Sequence, residues 1–331
     1  MATAAAALLI LPTQAEDCGP LTILSTIPLT HIDGLASDFV PVEIAGVPKL
    51  LVLDTGASFN VISNATVNEL HLNTTPATIK LVDATGGVTD RLVSTKFKIG
   101  TMQGNDIQFM VSPSSQDDFG DSRVVGLLGA SILSHYDVSI DFGAHTLALL
   151  NPNHCEGKVL YWPERPVAVI PFKFKNASQI ILHVTLDGKD VVAQLDTGAS
   201  GSTLERKKAE RSFDVVVGST DTPAVGNLNG AEGLTMWTHR FKSLSLAGLE
   251  VANPEFYIIP DKISEKLNSY ATGSLLDQKA NSTEEPLMLL GMNVLKQLRV
   301  YIAYKEKKLY ISPASKPAAS PAVVAPTAKT N

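Results

Sequence analysis

The sequence predicts an all-β protein built from two homologous lobes with a cleft between them. The first observation is a hairpin-like stretch that runs into Asp-Thr-Gly-Ala-Ser, once at Asp54 and again at Asp196. The second is that further segments recur downstream of each copy in the same order. The third is length, since 331 residues suffice for two domains, each with its own core.

From the N-terminus, residues 4–11 form an apolar run followed by Pro12 and the small-residue site Thr13-Gln14-Ala15. That is the order of a secretory signal over residues 1–15. No Lys or Arg precedes the run, so an Ala-rich leader on a cytoplasmic protein is the competing reading. Ala15-Glu16-Asp17 lacks the small residues that precede a lipidated cysteine, so a periplasmic or secreted protein without a lipid anchor is expected. Residues 16–37 lead into a first lobe at 38–150.

That lobe opens on Val40-Pro41-Val42-Glu43-Ile44-Ala45-Gly46, a short turn, residues 50–53 and then Asp54-Thr55-Gly56-Ala57-Ser58. Apolar residues alternate with others and the chain turns at a glycine, the pattern of a β-hairpin. Residues 151–177 carry Pro152, Pro163, Pro166 and Pro171 and are expected to link the lobes. The second lobe, 178–313, opens on Leu182-His183-Val184-Thr185-Leu186-Asp187-Gly188, residues 191–195 and Asp196-Thr197-Gly198-Ala199-Ser200. The glycines and the aspartates share one offset, 188 − 46 = 196 − 54 = 142. Ile99-Gly100 then matches Ala247-Gly248 at 148, and Leu127-Leu128-Gly129-Ala130 matches Leu289-Leu290-Gly291-Met292 at 162. Residues 138–142 match 300–304 at that same offset, and His145-Thr146-Leu147 pairs with Lys307-Lys308-Leu309. A chance match would not keep its order over so many segments.

The extra length of the second lobe falls mostly between Pro260 and Pro286. There Ile263, Leu267, Tyr270, Leu275 and Leu276 read either as a helix packed on the lobe or as a loop near the cleft. Residues 314–331, rich in Ala and Pro, read as a disordered tail.

Hydrophobic residues make up 44% of the chain and charged residues 18%, a balance that excludes a largely disordered protein. A net charge of −6 without a basic run argues against a nucleic-acid partner. No apolar stretch approaches the roughly 20 residues of a membrane-spanning helix. Cys18 and Cys155 are the only cysteines; export predicts a disulfide between them, and the other reading is two unrelated thiols. No pair among the seven histidines has the spacing of a zinc site, so no metal is expected, and His135 and His145 are assigned packing or surface roles.

A lone Asp-Thr-Gly says little, because all three residue types favour turns. Its recurrence after an apolar strand, at equivalent places of a duplicated unit, says more. Two-fold symmetry would bring Asp54 and Asp196 together at the interface. Two carboxyls in contact cannot both ionise easily, so they share a proton over a working pH range. Such a pair activates water for attack on a peptide carbonyl with no cofactor and no covalent intermediate.

Over residues 38–313 the chain resembles bacterial two-lobe members of the retropepsin-like and pepsin-like aspartic peptidases. The resemblance implies two closed, barrel-like lobes, endopeptidase activity on extended polypeptide, and Asp54 and Asp196 as the catalytic pair. It implies that Thr55 and Thr197 interlock across the interface and that Gly56 and Gly198 let backbone N–H groups approach the carboxylates. Leu127-Leu128-Gly129 and Leu289-Leu290-Gly291 take the place of the family's apolar-Gly segments behind the loops. Substrate-covering flaps fall at residues 83–88 and 225–230, with Thr85, Gly86, Gly87, Asn227, Asn229 and Gly230 as candidate contacts. An ordinary surface hairpin is the other reading of each.

Ala57 and Ala199 follow the Asp-Thr-Gly triplets, as in retroviral enzymes, where pepsins carry Ser or Thr. Without a hydroxyl to stabilise the ionised carboxylate, the pair's pKa values should rise, which predicts activity at mildly acidic to near-neutral pH. Ser58 and Ser200 lack a nucleophile-elbow context and are expected to hydrogen-bond within their loops. Asp141 has Ala303 as its counterpart and is expected to be structural. The alternative function is a non-catalytic peptide-binding protein on the same scaffold, because a fold proves no activity. With both aspartates in one chain, a monomer is expected.

Overall fold

The computed structural model describes residues 18–82, 88–112, 119–162, 166–175, 178–228, 233–261 and 286–315. The protein is all-β, and the helices among the described residues are short. Strands Phe39–Ile44 and Val47–Leu53 pair through a two-residue turn in which Ala45 and Gly46 have φ of 52° and 82°. Strands Gln179–Leu186 and Lys189–Leu195 pair through Asp187 and Gly188, at 45° and 78°. Left-handed backbone at both turn positions matches the twist of the flanking strands, and the glycine takes it without penalty. Val40, Val42 and Ile44 are buried while Pro41 and Glu43 are not, as the alternation in sequence requires.

In the first half the strands run in the order Phe39–Ile44, Val47–Leu53, Val124–Leu128, Val61–Ile62, Met102–Val111 and Val88–Ile99. Pairing of Val42 with Ile99 returns the sheet to its first strand and closes a six-stranded barrel. Closure removes the sheet edges and gives inward side chains a common core. The second half repeats this order, but its counterparts of the two longest strands are each broken in two, at residues 241–242 and 253–254. Asn253 adopts φ of 49° and Pro254 has no N–H for the ladder, while the amides of Lys242 and Ser243 donate to Asp187 Oδ1 instead. One equivalence in the sequence shifts by a residue. The tight turn is Gly100-Thr101 in the first half and Ala247-Gly248 in the second, so Gly100 corresponds to Ala247.

A six-stranded sheet joins the halves in the order Ile23–Pro28, Thr146–Leu150, Asp137–Asp141, Leu298–Ala303, Lys308–Pro313 and Ala168–Lys175. Ser139 pairs with Tyr301 at its centre, where the approximate two-fold axis passes, since these two residues are also equivalent in the repeat (301 − 139 = 162). Its outer strands correct the expected layout. Ala168–Lys175 lies within the supposed 151–177 linker yet pairs with Lys308–Pro313, and Ile23–Pro28 from the N-terminal segment pairs with Thr146–Leu150. They extend the repeat, because Ile27-Pro28-Leu29 corresponds to Ile170-Pro171-Phe172 (170 − 27 = 143). Leu29 N–H donates to the His145 carbonyl at 2.8 Å and Phe172 N–H to the Lys307 carbonyl at 2.9 Å. Pro171 reads as a linker residue, but an outer strand tolerates the lost ladder bond.

The main core runs through both halves, and a second cluster including Leu150, Val159, Trp162, Tyr301 and Tyr310 packs about the central sheet. Cys18 is disulfide-bonded to Cys155, which ties the start of the described chain to the segment after Thr146–Leu150. No helix among the described residues is long and apolar enough to cross a membrane. The expected signal at 1–15, residues 262–285 of the 260–286 segment and residues 316–331 of the tail lie outside the described residues.

Candidate active site

Val47–Leu53 and Lys189–Leu195 each pair in parallel with the strand before an apolar-Gly turn. The last bonds of these pairings fix the aspartates, since Asp54 N–H donates to the Leu128 carbonyl and Asp196 N–H to the Leu290 carbonyl, both at 3.0 Å. The chain then turns so that its own amides face the carboxyl. Gly56 and Ala57 N–H donate to Asp54 Oδ1 at 2.8 and 3.0 Å, and Gly198 and Ala199 N–H to Asp196 Oδ1 at 2.9 and 3.1 Å. Each glycine also faces the opposite loop. A Cβ on Gly56 would lie 2.6 Å from Asp196 Cγ, and one on Gly198 would lie 2.4 Å from Asp54 Cγ, so a side chain at either place would push the carboxyls apart.

Thr55 and Thr197 lock the two loops together. Thr55 N–H donates to Thr197 Oγ1 at 3.0 Å and Thr197 N–H to Thr55 Oγ1 at 3.1 Å. The hydroxyls then donate onward, Thr55 to the Leu195 carbonyl at 3.2 Å and Thr197 to the Leu53 carbonyl at 2.6 Å. Both side chains are buried, so these bonds carry the full penalty for being left unmade.

Behind each loop sits a glycine with no room for a methyl group. A Cβ on Gly129 would lie 2.4 Å from the Phe59 carbonyl oxygen, and one on Gly291 would lie 2.4 Å from that of Gly201. The amides of Ala130 and Met292, one residue on, donate to the carbonyls of Ala57 and Ala199. Four supporting residues escape a reading of the motif alone. Asn60 Oδ1 accepts from Gly129 N–H at 3.0 Å, and Asn60 N–H donates to Ser131 Oγ at 2.9 Å. In the second half Ser202 Oγ accepts from Gly291 N–H at 3.0 Å, and Ser202 N–H donates to Asn293 Oδ1 at 2.8 Å. The same Asn and Ser pair serves both halves with the positions exchanged. The offsets 202 − 60 = 142 and 293 − 131 = 162 carry this in the sequence, but only as two unlike pairs.

The two carboxyls hydrogen-bond each other and are surrounded by protein, although neither is wholly shielded from solvent. Burial pushes Asp54 well above the usual carboxylate range, and the charge of Asp196 pushes further, against the opposing amides of Ala57 and Gly56. Burial also raises Asp196, opposed by the amides of Gly198 and Ala199. The pair therefore retains a proton that two isolated carboxyls would lose. Its first cause is desolvation, whereas the sequence points to the missing hydroxyls at Ala57 and Ala199.

The other expected residues fall variously. Ser58 accepts from Ser178 Oγ at 2.7 Å, a partner in the other half rather than in its own loop, and Ser200 is exposed. Thr74–Val82 and Val88–Ile99 form the hairpin expected to carry the first flap, and Ala224–Asn227 and Thr235–Arg240 form the second. Asn227 is exposed on the latter, while Thr85, Gly86, Gly87, Asn229 and Gly230 lie outside the described residues. Asp141 accepts from the amides of Ala144 and Ser315 and lies 3.5 Å from Arg299, contacts that hold the sheet.

The pattern of the aspartyl protease family matches residues 40–132 and 182–294, one segment for each Asp loop and its apolar-Gly turn. No curated protein matches the chain. Among solved structures, an aspartic proteinase from Irpex lacteus is similar with a TM-score of 0.50 and 13% identity, over 89% of this chain and 98% of that one. At that identity the likeness concerns the fold. With both halves of the sequence matched, the chain belongs to the aspartyl protease family.

Proposed function

We propose that this protein is an aspartic endopeptidase in which Asp54 and Asp196 act as one catalytic pair. The reading rests on a single observation: the two carboxyls are in contact, each with Oδ1 held by two backbone amides of its own loop. Like charges so close cannot both form at moderate cost, so the working state has one proton on the pair. The ionised member takes a proton from a water lying between them, and the water oxygen bonds to the peptide carbonyl carbon. The protonated member gives its hydrogen to the carbonyl oxygen as the C=O π bond opens. Collapse of the tetrahedral diol breaks the C–N bond, and the member that took the water proton gives it to the leaving nitrogen. The other takes a proton back from a diol hydroxyl as the C=O bond re-forms, and the acid and amine depart with one proton left on the pair. The four amide bonds at Oδ1 hold both carboxyls in place throughout, which keeps reorganisation small.

The substrate is an extended polypeptide lying in the cleft between the halves, with backbone hydrogen bonds to the two hairpins that face it. One chain supplies both aspartates, so a monomer suffices. The protein acts in the periplasm or outside the cell, a placement that the Cys18–Cys155 disulfide favours because such bonds persist in oxidising compartments.

The test is cleavage of an unfolded protein between pH 3 and 7 by the wild type beside Asp54→Asn and Asp196→Asn. Loss of activity in both variants is expected. Cleavage that survives either substitution would remove the pair from the mechanism.

A further inference from the structure

Far from the Asp loops in sequence, three side chains converge on one carboxylate. His31 Nδ1 lies 3.1 Å from Asp38 Oδ1, and His145 Nδ1 lies 2.9 Å from Asp38 Oδ2. One ligand atom from each of the three falls within 4.8 Å of the others. Asp38 is buried, its side chain 7% exposed, whereas the two histidines stay about half open to solvent at 49% and 42%. A buried acid reached through two open imidazoles is a site that an ion can enter.

The backbone around these residues is fixed. Thr30 and Phe39 exchange both hydrogen bonds, at 2.8 and 2.9 Å, so His31 and Asp38 flank a closed bridge. His145 occupies the turn before Thr146–Leu150, at φ of 49°, and its carbonyl accepts the Leu29 amide. The duplicated half shows that the fold does not need this cluster. At the offsets of the repeat, His31, Asp38 and His145 correspond to Phe174, Ile180 and Lys307 (174 − 31 = 143, 180 − 38 = 142, 307 − 145 = 162). Phe174 and Ile180 are cross-strand partners there, and Lys307 Nζ lies 5.9 Å over the Phe174 ring. The first half thus holds an acid and two imidazoles where an apolar pair and a lysine satisfy the same backbone.

We infer that His31, Asp38 and His145 form a binding site for a divalent transition-metal ion of the zinc type, separate from the Asp54–Asp196 pair. The donor set suits such an ion, which takes imidazole nitrogen and carboxylate oxygen. Bonds of about 2.0–2.1 Å in a tetrahedron set neighbouring ligand atoms about 3.3 Å apart, close to the 3.1 and 2.9 Å between nitrogen and oxygen here. Two imidazoles on one such ion have ring centres about 5 Å apart, and the rings of His31 and His145 are 5.3 Å apart. In the bound state each ring gives its Nδ1 lone pair to the ion and carries its hydrogen on Nε2. The Nε2–H of His31 then points to solvent beside the exposed Asp33, whose Oδ1 lies 4.0 Å away, beyond a hydrogen bond. Solvent completes the coordination. The ion would tie the entry to Phe39–Ile44, the strand whose hairpin partner Val47–Leu53 leads into Asp54, to the turn before Thr146–Leu150.

The sequence hides the site because 145 − 31 = 114 residues separate the histidines. Their meeting depends on Ile23–Pro28 lying beside Thr146–Leu150.

The test uses the full chain without a histidine tag, freed of metal by chelation and titrated with Co²⁺. One equivalent with the visible absorption of a four-coordinate ion, displaced by Zn²⁺, is expected. Zn²⁺ should also raise Tm by on the order of 5 °C at a hundredfold excess over Kd. The comparison variant carries His31→Phe, Asp38→Ile and His145→Lys, the residues that the other half uses at these places, and should fold yet show neither effect. Should it fail to fold, His145→Lys alone, at a turn, gives the same comparison. Asp54→Asn should bind Co²⁺ as the wild type does. No absorption in the wild type, an undiminished signal in His145→Lys, or a signal lost only in Asp54→Asn would overturn the proposal.

Discussion

His154 Nε2 lies 2.6 Å from Asp137 Oδ2, with only 2% and 1% of the two side chains exposed. Tyr301 O–H donates to the same oxygen at 2.8 Å, and His154 Nδ1 donates to the Cys155 carbonyl at 3.0 Å. Burial alone would lower the His154 pKa, but the bonds to Asp137 and Cys155 and the charges of Asp137 and Glu306 carry it above its ordinary value. Burial raises Asp137 as well, more than the bonds from His154 and Tyr301 lower it. Both partners therefore hold protons more tightly in the folded chain. A raised folded pKa contributes stability that is complete below the unfolded value and is lost as pH rises through the folded one. For His154 that loss begins above 6.5. Thermal melts from pH 6 to 9 should show a falling Tm, and His154→Gln should flatten the slope while lowering Tm at pH 6.

The same sign applies to Asp54 and Asp196, whose raised pKa values make the folded state less favourable as pH rises above 3.8. Replacing either with asparagine removes a buried charge. Asp54→Asn and Asp196→Asn should each lose about 10²–10⁴-fold in kcat yet melt higher than the wild type at pH 7. That advantage should disappear below pH 4. Parallel activity and melting series check both halves of the statement.

Ala57→Ser places a hydroxyl beside a carboxyl that its own amide already contacts at 3.0 Å. One added bond to the ionised form is worth about 1 kcal/mol, or nearly one pKa unit. The acidic limb of the kcat/KM profile should move down by that amount, and the paired Ala57→Ser, Ala199→Ser variant should move further. A profile that keeps its position would separate the alanines from the tuning of the pair.

Gly129→Ala and Gly291→Ala direct a methyl at carbonyl oxygens 2.4 Å away. Because the obstruction is backbone, the loop itself must shift, at a cost of about 1–3 kcal/mol. Each substitution should lower the urea midpoint, and kcat should fall with it, since these turns sit directly behind Asp54 and Asp196. An active variant with an unchanged midpoint would contradict the packing.

The exchange of Asn and Ser between the halves can be tested by repeating it. Asn60→Ser alone loses the bond from Asn60 Nδ2 to the Gln108 carbonyl and leaves the new hydroxyl facing Ser131 rather than an asparagine, and should destabilise by about 1–3 kcal/mol. Adding Ser131→Asn rebuilds the arrangement seen at Ser202 and Asn293 and should restore most of that loss. A double-mutant cycle measured by urea unfolding reads the coupling directly.

That the chain is a duplicated all-β unit, and that Asp54 and Asp196 are equivalent within it, is legible from the order of residues alone. Both follow from local patterns that need no partner: alternating apolar residues, a turn glycine, and a repeated spacing. Cross-strand placement decided the rest. Ile23–Pro28 and Ala168–Lys175 became strands because Thr146–Leu150 and Lys308–Pro313 offered them unpaired backbone, a fact absent from their own prolines and short apolar runs. Asn60 and Ser131 support the loop because two strands and a helical turn meet behind it, and a pair with exchanged residue types leaves no motif to count. Ser58 found its partner across the interface for the same reason. Hairpins are encoded by neighbours along the chain, whereas the loop contacts, the His154–Asp137 pair and the His31–Asp38–His145 cluster join residues that only the closed barrel and central sheet bring within a hydrogen bond.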